Sequence, residues 1–286
     1  MIAVLLAVTA AVGWGAADYF GGDASRGGTP VFVVVALGEL LGVVLMAPVL
    51  IARGLPPASP RLLLAVVAGA AVTVELSLIY RAIGQGQSFI TAPVGALGAA
   101  GAVSLGLIGG DRLDVTIAAG LLCALAGGAV SAWTSPAGTG GPRSAARTAV
   151  TCLTAAAAVA AMLTCLHTAS RADPYWSTAI VHASTALSAG LAALAARRPP
   201  PRDLLPGRRE RRAIALVAAS GVGGDLGYAV ASHAGALSII SALSSLYPVT
   251  TIALAMVLQH RRATRLQAAG IVLALAGAVL LGTAAA

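Results

Sequence analysis

Along the chain, stretches of roughly 18–22 mostly apolar residues alternate with short polar connections. The alternation recurs ten times, at about 2–20, 31–51, 62–82, 88–108, 115–133, 148–168, 176–196, 213–232, 237–258 and 266–284. An apolar run of about 18 residues or more is long enough to cross a bilayer as a helix. Backbone groups in hydrocarbon must be paired within their own segment, so these stretches are predicted to be helices. The short alternating strands of a membrane barrel are absent from the sequence. The pattern predicts an all-α integral membrane protein with ten transmembrane helices. The connections are too short to house a soluble catalytic domain.

The ten stretches fall into two related halves. Residues 68–130 match 218–280 without gaps at a shift of 150, which superposes Glu75 on Asp225, Val72 on Val222, Ser88 on Ser238 and Arg112 on Arg262. Ala124-Leu125-Ala126-Gly127 falls on Ala274-Leu275-Ala276-Gly277. Five spans per half is an odd number, so the second half enters the membrane upside down relative to the first. The expected organisation is two inverted five-helix repeats, 1–134 and 148–286, joined by a linker at 135–147 that holds Pro136, Gly138, Gly140, Gly141 and Pro142. Inverted repeats with polar sites near the midplane are an architecture of secondary transporters.

Composition agrees with the pattern. The chain is 58% apolar and 10% charged, with 34 glycines and a mean hydropathy of +0.90. Its net charge of +8 comes from arginine alone. These arginines sit in connections, where the excess of basic residues on the cytoplasmic side explains them without nucleic acid. The connections after the odd-numbered spans, counted with Arg81 at the end of the third span, hold 14 of the 18, including the run from Arg197 to Arg212. By charge, that side is cytoplasmic and both termini lie outside. Cys123, Cys152 and Cys165 lie in or at the ends of spans at no metal-site spacing and read as small packing residues. Residues 2–20 lack a basic leader and read as the first span, not as a cleaved signal.

The end of each half has a recognisable design. Residues 233–284 place Pro248 in one helix, then a short loop, then a helix that opens on Gly270 and closes on Ala276-Gly277. In the first half, Gly110-Asp111-Arg112-Leu113 precedes Gly120, and near the start stands Trp14-Gly15-Ala16-Ala17-Asp18-Tyr19-Phe20-Gly21-Gly22. The chain resembles the EamA-type transporters of the drug/metabolite transporter superfamily over nearly its whole length. It departs from them at Arg261, where the loop glutamate of that family would fall, and in the alanine-rich sixth span. The resemblance implies transport of a small metabolite, amine or drug, with export favoured over import. It also implies both termini in the cytoplasm, opposite to the arginine bias.

Acids inside spans are expensive and by default mark a site or pathway. Glu75 and Asp225 stand out because they share a repeat position, each 12 or 13 residues into its span. At 1.5 Å per residue that is about 18–20 Å into a core about 30 Å thick. Tyr228, one turn from Asp225, is a candidate to hydrogen-bond it or to stack on a ligand. Aligning Pro30 with Pro174 brings Glu39 within one residue of His182, a candidate acid–imidazole pair. Asp18 and Trp14 read either as a cavity mouth or as an interfacial belt. Pro248 frees the Ser244 carbonyl beside Tyr247, and Pro93 is placed to do the same in the fourth span. Each acid could instead make a structural hydrogen bond between helices. His167, His233 and His260 are expected at span ends, in water.

No nucleophile elbow, HExxH motif, nucleotide-binding glycine loop or acidic metal cluster occurs in the sequence. The expectation is a non-enzymatic, multi-pass protein of the cell membrane that needs no cofactor or metal. Its partners are the lipid bilayer and a small-molecule substrate, with no nucleic acid. Proton coupling and facilitated diffusion both fit these residues. The competing expectation is a non-transporting membrane partner or a membrane-embedded enzyme.

Overall fold

A computed structural model describes residues 2–84, 91–131, 142–196, 206–258 and 264–284. Among them the regular structure is helical and no strand occurs. The helices are α1 (Ile2–Arg26), α2 (Val31–Arg53), α3 (Leu63–Gly84), α4 (Thr91–Ile108), α5 (Val115–Ser131) and α6 (Pro142–Ser170). They continue with α7 (Pro174–Ala195), α8 (Arg208–Ala234), α9 (Leu237–Ser244), α10 (Tyr247–Leu258) and α11 (Arg265–Ala284). A single 3-10 turn, Pro60–Leu62, leads into α3.

Among the described residues seven stretches are long and apolar enough to cross a membrane, with α9 and α10 forming one of them, Leu237–Leu258. Three shorter apolar stretches, Val94–Ile108, Val115–Val130 and Ala268–Leu281, lie in α4, α5 and α11. The exterior suits lipid. Leu5, Leu40, Leu122, Leu153, Leu191 and Val272 all point outward from different helices, with Leu122 70% exposed and Val272 68%. In water such a surface would be an association hazard; against acyl chains it is the favourable one.

Several predicted spans differ in detail: α6 begins at Pro142, inside the expected 135–147 linker, and α8 begins at Arg208 rather than near 213. The first helix runs on past residue 20 to Arg26, so Asp18 lies inside it and is only 3% exposed. The ninth span breaks at Ser245–Leu246, between α9 and α10. Pro248 has no N–H for the Ser244 carbonyl, so the helical ladder is interrupted there before it resumes at Tyr247. Pro93 lies in the first turn of the described part of α4, and the carbonyl it would free, at Phe89, lies outside the described residues.

Small residues let the helices close on one another. A methyl group on Gly127 would strike the backbone of Ala274, and one on Gly277 would strike that of Ala124, so α5 and α11 approach at backbone distance. Gly13 and Gly224 do the same between α1 and α8. Hydroxyls join helices where the backbone is near. Thr185 Oγ1 donates to the Gly69 carbonyl at 3.0 Å, Thr73 and Ser188 share a hydrogen bond at 2.6 Å, and Thr251 Oγ1 donates to the Gly15 carbonyl at 3.0 Å.

Acids at helix ends fix the connections. Asp173 caps α7, accepting from the Tyr175 and Trp176 N–H groups at 2.8 and 2.9 Å, and its other oxygen takes Arg53 Nη2 at 2.7 Å. The Arg53 guanidinium also lies 4.2 Å above the Tyr175 ring. Burial by itself pushes the Asp173 carboxyl up. The Trp176 N–H, the Arg53 hydrogen bond and charge, and the Tyr175 N–H outweigh it and hold the group below the ordinary aspartate value. Asp111 reaches across to accept from the Ser238 N–H, in the first turn of α9, at 2.8 Å.

Of the histidines expected in water, His167 is instead buried in α6. His233 is exposed, with Nδ1 3.0 Å from the Ser170 carbonyl oxygen. His260 lies outside the described residues.

Candidate functional site: a central acidic cavity

α1, α2, α3, α6, α8 and the segment around the α9–α10 break line a central cavity. Asp18 and Trp14 reach it from α1, Glu39 from α2, Glu75 from α3, Asp225 from α8 and Tyr247 from the break. All four acids are at most 7% exposed. Among the described residues no arginine lines the cavity, so its fixed groups favour a cation or a proton over an anion.

Asp225 is held from two sides. Trp14 Nε1–H donates to its Oδ1 at 2.7 Å. The indole fits there because residue 224 is glycine; a methyl group at that position would strike the ring. His182, on α7, stands behind the cavity wall. Its Nδ1 is hydrogen-bonded to Glu39 Oε2. Its Nε2 lies 3.4 Å from Asp225 Oδ2, within ion-pair range, but is not aligned for a hydrogen bond and has no other partner among the described residues. Gly42, on the same face of α2 as Glu39, leaves room for the imidazole, which a methyl group would strike. A chain of polar groups therefore runs Glu39–His182–Asp225–Trp14 and links four helices: α2, α7, α8 and α1.

The other side of the cavity is open-handed. Asp18 Oδ2 and the hydroxyls of Tyr80 and Tyr247 have no hydrogen-bond partner among the described residues. Tyr80, completely buried on α3, packs its ring where Gly21 leaves space. Tyr228 stands apart from Asp225 and outside the cavity lining. Its hydroxyl donates to the Leu163 carbonyl at 2.8 Å, lies 3.0 Å from Ser241 Oγ, and its ring packs on Trp14 at 5.3 Å.

Seven of the eight residues singled out by sequence thus gather at or directly behind one cavity, and Tyr228 supports it through Trp14. Tyr80 and Gly42 were not singled out, although Gly42 lies one turn beyond Glu39, a spacing that puts the two on one helix face. Among the described residues no group of three His, Cys, Asp or Glu side chains is placed to hold a metal ion.

Residues 146–283 match the EamA-like transporter family. The match lies in the second half of the chain and supports an EamA-type transporter of the drug/metabolite transporter superfamily. No curated protein matches its sequence. A solved crystal structure described only as that of a protein is similar in fold, with a TM-score of 0.77 at 22% identity over 99% of this chain and 97% of that one. At that identity the likeness speaks for the fold alone. The match and the seven stretches long and apolar enough to cross a membrane together support a multi-pass membrane protein, in keeping with the apolar exterior.

Proposed function

We propose that this EamA-type protein is a secondary transporter that carries a small metabolite, amine or drug across the cell membrane by alternating access. The observation that carries the reading is the central cavity: four buried carboxyl groups from four helices, with one imidazole behind them, inside a bundle whose outside is apolar. A purely structural acid would be sealed between helices; these line one shared cavity.

Two inverted five-helix repeats, 1–134 and 148–286, would supply the moving parts. The pairing of helices supports this. Exchanging each helix for its repeat mate turns the α1–α8 contact into α6–α3 and α3–α7 into α8–α2, and all four contacts occur. The α5–α11 and α2–α7 contacts map onto themselves. Gly127 on Ala274 and Gly277 on Ala124 are the same contact read in both directions. Export is the direction favoured by the family. Proton coupling would use the carboxyl groups of the cavity, with the His182 imidazole standing between Glu39 and Asp225.

The test is flux in proteoliposomes loaded with a pH-sensitive dye, challenged with amines, amino acids, cationic drugs and neutral metabolites, with counterflow of labelled solutes in parallel. Wild type is expected to carry at least one class, and Glu75→Gln and Asp225→Asn to lose it. Silence in both assays with folded protein would move the assignment to a non-transporting membrane partner.

A further inference from the structure

We propose that the cavity seats a primary ammonium ion between Asp18 and Glu75, with the Tyr80 and Tyr247 hydroxyls completing the seat. The proposal rests on the transporter reading and narrows it to a substrate class. Its basis is which polar atoms are already engaged and which are not. Asp225 is occupied by Trp14 and faced by His182, and Glu39 is bound to His182. Asp18 Oδ2, Tyr80 Oη and Tyr247 Oη are buried at the cavity without a partner among the described residues, and no described residue donates a hydrogen bond to Glu75. Buried polar atoms are nearly always paired, so a cluster of unpaired ones facing a space is a set of contacts awaiting a ligand.

The chemistry of the cluster selects the ligand. Carboxylates only accept hydrogen bonds, and phenol oxygens accept as well as donate. An ammonium group brings three N–H donors and a positive charge, matching two acids and a phenol oxygen at once. A trimethylammonium group brings the charge without a donor and would leave the same atoms unpaired. Much of the remaining lining is apolar, formed by Val72 and Leu76 of α3 and by Val159, Met162 and Leu163 of α6. The favoured solute is therefore a primary alkyl- or arylalkyl-ammonium ion, its head on the acids and its tail against this lining.

The experiment titrates the full chain in lipid nanodiscs with phenethylamine, its N,N,N-trimethyl analogue and 2-phenylethanol, by calorimetry at neutral pH. Phenethylammonium is expected to bind about tenfold or more tightly than either analogue, the difference expected when a charged hydrogen bond goes unmade. Asp18→Asn and Glu75→Gln should each remove binding, and Tyr80→Phe and Tyr247→Phe should weaken it. Because the acids lack protein partners, the two amide variants should melt no lower than wild type. Equal affinity for the trimethyl compound, retained binding in the amide variants, or a large fall in their Tm would each overturn the proposal. So would the absence of saturable binding by phenethylamine. Transport of an amino acid or neutral solute in the flux assay would then leave the transporter reading standing without this one.

Discussion

Trp14 and Asp225 are 211 residues apart, yet the Trp14 indole N–H donates to the Asp225 carboxylate at 2.7 Å and ties α1 to α8 at the cavity wall. It is a hydrogen bond to an acid in a site away from water, the kind whose loss is felt most. Trp14→Phe keeps an aromatic ring and removes the donor, and is expected to cost about 1.5–3 kcal/mol of stability. Thermal unfolding in detergent measures it. In combination with Asp225→Asn the two losses should fall short of their sum; full additivity would show that the bond contributes nothing.

Glu39 and His182 form the second prediction. Both are buried, and each is the other's hydrogen-bond partner. Removing one member of a buried pair strands the other, so Glu39→Gln or His182→Gln alone should cost about 3–5 kcal/mol, with the double variant recovering part of it. A double-mutant cycle on Tm gives the coupling directly.

Asp173 sets a pH dependence. Its folded-state value is depressed, so its bonds to the α7 N-terminus and to Arg53 contribute stability fully above the ordinary aspartate range. That stability disappears as pH falls through the depressed folded value. Tm should therefore drop on acidification, and Asp173→Asn should flatten this part of the profile while lowering Tm at neutral pH. Because Arg53 is 41% exposed, the ion pair itself is screened, and high salt should change Tm little compared with loss of the cap. An Asn variant with an unchanged acid limb would assign the drop to other carboxyl groups.

Gly127 and Gly277 test the packing of the two halves. A methyl group at either would meet the backbone of the partner helix, not a side chain that can swing away. Gly127→Ala and Gly277→Ala should each destabilise by about 1–3 kcal/mol, the usual penalty of overpacking. Since the two contacts mirror each other, the penalties should be similar. Gly190, in α7, has no atom within 4 Å of its added methyl, so Gly190→Ala should be neutral or stabilising through helix propensity. Tm shifts in one detergent compare all three.

Much of the candidate site was legible because membrane helices impose a strict length and depth. Glu75 and Asp225 emerged from the 150-residue shift and from their distance into each span, and both line the cavity. Glu39 and His182 emerged from aligning two prolines, and the structure puts them in direct contact. Asp18 was less legible. Its place near the end of an apolar run suggested the membrane surface, whereas α1 continues to Arg26 and Asp18 faces inward. The expectation that Tyr228 would serve Asp225 followed from one-turn spacing on a single helix. The actual donor, Trp14, comes from another helix, and no periodicity within α8 could name it.

The sequence by itself determined the solvent of this protein. Runs of apolar residues about as long as a bilayer is thick leave helices as the available structure, and a repeated pattern of acids marks the depth where polarity is retained. Only the tertiary structure decided which polar groups meet. Helix crossings bring Trp14 rather than Tyr228 to Asp225, place His182 between Glu39 and Asp225, and leave Asp18 and the Tyr80 and Tyr247 hydroxyls without partners among the described residues. The reason is geometric. Sequence spacing fixes which face of a helix a side chain occupies, but the partner across the cavity depends on the rotation and offset of packed helices, which small residues such as Gly13, Gly42 and Gly224 set at atomic distances.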